Sequence, residues 1–79
     1  MIEKIIELYP DERFIIADGF NKAVIGLDDE TMRLIYSVKK CIKILSKKMD
    51  KEEAIDYFYG EVRFAYVGKK TPIWCEDFL

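Results

Sequence analysis

Ser37-Val38-Lys39-Lys40-Cys41-Ile42-Lys43-Ile44-Leu45-Ser46-Lys47-Lys48-Met49-Asp50-Lys51-Glu52-Glu53-Ala54-Ile55-Asp56-Tyr57-Phe58 is the stretch that decides the fold, because two helical stripes meet in it. Val38, Cys41, Ile42, Leu45 and Met49 recur at i, i+3, i+4, i+7 and i+11, the apolar face of an amphipathic helix. Ser37 stands where an N-cap oxygen serves the exposed amides of the first turn. Asp50 restarts the pattern, with Glu53 three residues later in the manner of a capping box. Ile55, Phe58, Tyr59, Val62, Ala65 and Tyr66 carry the second stripe. Gly60 inside it weakens the helix by ~1 kcal/mol relative to alanine. We read it as allowing a close approach of another element. Gly68 supplies a stop, with Pro72 beyond it.

Outside these helices the period changes. Phe14-Ile15-Ile16-Ala17, ended by Asp18-Gly19, reads as a strand and turn. Ala23-Val24-Ile25-Gly26-Leu27 and Met32-Arg33-Leu34-Ile35-Tyr36 flank the polar Asp28-Asp29-Glu30, which predicts a hairpin. Gly26 marks a bulge or a close backbone approach. Thr71-Pro72-Ile73-Trp74-Cys75 is expected as an edge strand, where proline's missing amide does least harm. Ile2, Ile5 and Ile6 give a short N-terminal helix that Pro10 ends. The expected fold is α+β: a small, mostly antiparallel sheet with two consecutive amphipathic helices packed on one face.

Seventy-nine residues make one domain, 1–79, close to the lower size limit for a self-sufficient core. Trp74, five tyrosines and five phenylalanines supply more apolar surface than so small a core hides. A homo-oligomer is therefore expected, with Ile44 and Trp74, off the strongest core stripes, as interface candidates. Met1–Tyr9 is broken by Glu3, Lys4 and Glu7, unlike a secretory leader. No apolar run reaches the ~20 residues of a membrane span. A cytoplasmic protein with Cys41 and Cys75 reduced is the expectation.

No catalytic constellation stands out. The chain has no histidine, the commonest general base, and two cysteines cannot complete a four-ligand zinc site. Cys41 falls on an apolar stripe and Ser37 at a cap. Asp28-Asp29-Glu30, Glu52-Glu53 and Glu76-Asp77 sit at a turn, a helix start and the chain's end. A non-enzyme without cofactor or metal is expected, a metal-dependent enzyme being the least favoured reading. Gly68-Lys69-Lys70-Thr71 resembles the end of a phosphate-binding loop. Arg63 stands where its earlier glycine belongs, and the segment follows a helix instead of opening one.

Charge is uneven. Residues 37–51 hold six lysines against Asp50, while the segments on either side are net acidic, and the whole chain is −2 with a pI near 5.1. That balance opposes general nucleic-acid binding. Lys39, Lys40, Lys43 and Lys47, with Lys69 and Lys70, form the candidate binding surface for an acidic protein or an anionic small molecule. A solvated face neutralised by neighbouring acids is the competing reading and the commoner case.

Met49-Asp50-Lys51-Glu52-Glu53-Ala54, Ala65-Tyr66-Val67-Gly68 and Thr71-Pro72 resemble the M-x-x-E-E-A and A-Y-V-G-x-x-T-P motifs of a family of very small tailed-phage proteins. Asp18-Gly19-Phe20 with Ala23-Val24-Ile25-Gly26-Leu27-Asp28 is similar to that family's D-G-F-x-x-A-I-I-G-I-D stretch. Tyr36, Lys40 and Ile42 fit its Y-x-x-x-K-x-I. The likeness covers residues 18–73. It departs at Gly60-Glu61-Val62-Arg63-Phe64, where the family shows F-N-V-x-G. The resemblance implies a phage source, and the kind of genome implies an accessory role. Such a protein binds a host protein, as an inhibitor of a defence component or as a sponge for a nucleotide signal.

Overall fold

The computed structural model describes residues 1–65 and 67–78; Tyr66, expected as the last member of the second stripe, lies outside them. Among the described residues the order is α1 (Ile2–Leu8), β1 (Val24–Asp28), β2 (Arg33–Ser37), α2 (Val38–Leu45), α3 (Lys51–Tyr57) and β3 (Ile73–Cys75). A 3-10 turn, Asn21–Ala23, precedes β1, and a π-helical turn, Phe58–Val62, prolongs α3. The fold is α+β.

The hairpin is built by local chemistry. The Asp28 carboxylate accepts the Glu30 amide at 3.1 Å and the Thr31 hydroxyl at 2.9 Å, closing an Asx turn. Met32 completes the reversal at φ +55. β1 and β2 then pair antiparallel, with a register shift between Val24 and Gly26 where the bulge was expected. A Cβ on Gly26 would touch only the tip of Ile35, at 3.9 Å, so the glycine serves the bulge and not a tight approach.

β3 runs parallel to β2 on its other side, placing Tyr36 opposite Trp74 and making the sheet mixed, in the order β1-β2-β3. A parallel partner needs a long crossover, and α2 and α3 supply it. Tyr36 and Trp74, as register partners, share one face of the sheet. Their rings lie 5.1 Å apart, and Phe58 meets Trp74 edge-on at 5.5 Å. Ile2 and Ile5 of α1, Leu34, Val38, Cys41 and Phe58 join one buried cluster with Tyr36. Fully burying Phe58 or Leu34 contributes roughly 1.5–3 kcal/mol each.

Phe14–Ala17 is not a strand. The sheet is made of β1, β2 and β3, and this run pairs with none of them. It crosses the core as irregular chain, with Phe14 and Ala17 packed inward. The Ala17 amide is satisfied by the Tyr36 hydroxyl at 2.8 Å instead of by a strand.

Both helix caps form as read. Ser37 Oγ accepts the Lys40 amide at 3.0 Å, and the Asp50 carboxylate accepts the Glu53 amide at 2.9 Å. Each helix is shorter than its stripe. α2 stops at Leu45, and Ser46–Met49 continue as hydrogen-bonded turns. α3 widens at Phe58, where the Arg63 amide reaches the Phe58 carbonyl at 2.9 Å. Gly60 lies in this wide turn, and nothing stands within 4 Å of a Cβ placed there. The close approach expected at Gly60 is therefore absent.

Candidate functional site

α2 and α3 are neighbours joined by a short turn, and Ala54 of α3 is fully buried. Their outer surfaces do not meet. Between them lies a groove of about 490 Å³ with Val38, Ile42 and Ile55 as its floor. Lys39, Lys43 and Lys51 line its walls, and Tyr59, Glu76 and Asp77 close one end.

That end is tied down by carboxylates. The Tyr59 hydroxyl donates to Glu76. Ser37 Oγ lies 2.8 Å from each oxygen of Asp77, and the Lys39 amide reaches the same carboxylate at 3.4 Å. The Ser37 hydroxyl hydrogen bond holds the Asp77 carboxyl below its ordinary pKa. Hydrogen bonding to Glu76 raises that of Tyr59. The C-terminal segment thus lies across the start of α2, where a negative group suits the positive end of the helix.

The opposite end, at the turn joining α2 to α3, is basic. Among the described residues, Lys43 and Lys51 make no ion pair, and neither do Lys40, Lys47 and Lys48. A second, smaller groove of about 210 Å³ begins at Lys43 and holds Lys22, Lys40, Ile44 and Lys47. The lysines of α2 therefore wet two adjoining hollows from one ridge.

Of the residues read from the sequence, Lys39, Lys40, Lys43 and Lys47 come together here, and Ile44 sits among them half-buried against the core. Lys69 and Lys70 do not join them. Gly68–Thr71 is a tight turn, closed by the Thr71 amide on the Gly68 carbonyl at 3.1 Å, with Gly68 at φ +115. Lys70 is paired with Glu12 at 2.7 Å, so its charge is spent on holding the N-terminal segment. Trp74 packs tilted against Tyr36 and edge-on to Phe58, and its remaining surface lines an apolar cleft beside Ile16, Val62 and Val67.

Lys22, Lys51, Ile55, Glu76 and Asp77 belong to the site without having been singled out. Lys51 carried a signal as the last lysine of the basic run, Ile55 as part of the second stripe and Glu76-Asp77 as a carboxylate pair; Lys22 carried none.

Cys41 is fully buried, and burial, with Asp77 nearby, pushes its thiol up to about 12, so it stays protonated and inert. Among the described residues no three Cys, Asp or Glu side chains cluster as metal ligands. No helix among them is long and apolar enough to cross a membrane. Comparison with protein-family models, with curated proteins and with solved structures finds no match to this chain.

Proposed function

We propose that this chain is a non-enzymatic binding protein whose α2 face docks an acidic surface of another protein. One observation supports the reading above the rest: Lys43 and Lys51, which make no ion pair among the described residues, border a groove with an aliphatic floor. A merely solvated face needs no such floor, and a nucleotide site needs more than lysines. Phosphates favour helix N-termini, where free amides converge. Here the start of α2 already holds Asp77 and Ser37, and the start of α3 holds Asp50.

The phage resemblance adds the expected setting: a host protein as partner, met in the host cytoplasm, with inhibition of a defence component as the outcome. Homo-oligomerisation is part of the same proposal. Exposed Ile16, Phe64 and Val67 supply apolar surface for it, and light scattering that returns a strict monomer counts against it.

Fluorescence anisotropy with labelled polyglutamate, oligothymidylate and a cyclic dinucleotide tests the docking chemistry. The expected result is salt-sensitive binding of polyglutamate, weakened about tenfold by Lys43→Glu through like-charge repulsion. Tighter binding of either phosphate ligand transfers the site to a nucleotide sponge and overturns the proposal.

A further inference from the structure

We infer that the groove between α2 and α3 receives an acidic, amphipathic peptide segment, with its carboxylates on Lys43 and Lys51 and its apolar side chains on Val38, Ile42 and Ile55. This rests on the docking function proposed above and adds the kind of segment that is recognised.

The first argument is the composition of the groove. A ligand that is only charged satisfies the rim and leaves the aliphatic floor in water. A ligand that is only apolar covers the floor and leaves two lysines facing a desolvated neighbour. An amphipathic segment matches both. The volume, about 490 Å³, lies within the range of ordinary binding clefts and holds a few side chains of a peptide.

The second argument is polarity along the groove. Glu76 and Asp77 sit at the end where α2 begins; Lys43 and Lys51 lie towards the turn that joins the helices. An incoming acid is repelled at the first end and attracted at the second. The segment therefore binds in one direction, its acids beside the 46–50 turn and its apolar part running towards Tyr59.

The third argument is that the chain already carries a sample of this chemistry. Glu76 and Asp77 are carboxylates held at this groove by donors from α2 and from the turn that extends α3. They show that an extended acidic segment lies against these helices with its acids satisfied.

The test compares two labelled probes of equal charge, polyglutamate and a peptide repeating Leu-Glu-Asp-Phe. The Leu-Glu-Asp-Phe peptide is expected to bind at least about tenfold more tightly, since roughly 1.4 kcal/mol of added apolar contact is a factor of ten. Ile55→Ser should remove most of that advantage. Lys51→Glu, on the surface and safe for folding, should weaken both. Equal affinity for the two probes overturns the peptide inference and leaves acidic docking intact. Failure of both probes to bind overturns both. An Ile55→Ser variant with native circular dichroism and undiminished preference for the amphipathic peptide overturns the assignment to this groove. So does displacement of the peptide by excess protein together with dimer formation, which gives the groove to a second copy.

Discussion

The Ser37 hydroxyl lies 2.8 Å from the Asp77 carboxylate while accepting the Lys40 amide at 3.0 Å, so one side chain joins the start of α2 to the C-terminal segment. Ser37 is fully buried, and both of its hydrogen-bonding directions are used. This pair fixes the closed end of the groove.

Ser37→Ala removes the cap and leaves the Lys40 amide without its acceptor. Urea denaturation should show a loss of about 1–2 kcal/mol, the usual cost of an N-cap. Combined with Asp77→Asn, the loss should be smaller than the sum of the two single losses, because both act on one network.

The same contact makes stability depend on pH. Asp77 has a folded-state pKa below its ordinary 3.8, because the Ser37 hydroxyl favours the ionised form. Its contribution is complete above the unfolded value and is lost as pH falls through the folded one. The stability difference between the native sequence and Asp77→Asn should therefore be constant near neutrality and shrink below pH 3.8. A difference that grows on acidification contradicts the contact.

Thiol reactivity should separate the two cysteines. Cys41 is fully buried with its pKa pushed up to about 12, whereas Cys75 is half-buried at the sheet edge. Alkylation of the native protein at pH 8, followed by peptide mass spectrometry, should label Cys75 first. Cys41 should react only after unfolding.

Gly60→Ala should stabilise the protein. The position is exposed, sits in the wide turn after α3, and has no neighbour within 4 Å of the added methyl. Relief of the glycine entropy cost predicts a gain of about 0.5–1 kcal/mol in urea unfolding. Gly60 is not among the positive-φ glycines, so a loss would contradict this account.

Local chemistry was legible in the sequence. Ser37, Asp50, Gly26 and the Asp28 turn all form as read, since caps, bulges and Asx turns depend on a few adjacent residues. Phe14–Ala17 misled because an apolar run packs against a core as irregular chain just as a strand does. The parallel sense of β3 was hidden for a related reason: it follows from where the crossover ends, not from Ile73 or Trp74 themselves. The wide turn at Phe58 left no trace, since its residues keep helical spacing. In the site, the lysines of α2 were visible as one face of a helix. Lys22, Ile55 and Asp77 reach it from distant segments, and Lys70 leaves it because Glu12 is nearer.

The most direct measurement is an amide NMR titration of the protein with the Leu-Glu-Asp-Phe peptide. Shift changes should concentrate on Lys39, Ile42, Lys43, Lys51 and Ile55, and should shrink at the same peptide concentration in Lys43→Glu. Changes centred instead on Lys69 and Lys70, or on the Trp74 cleft, would contradict the α2–α3 groove as the binding surface.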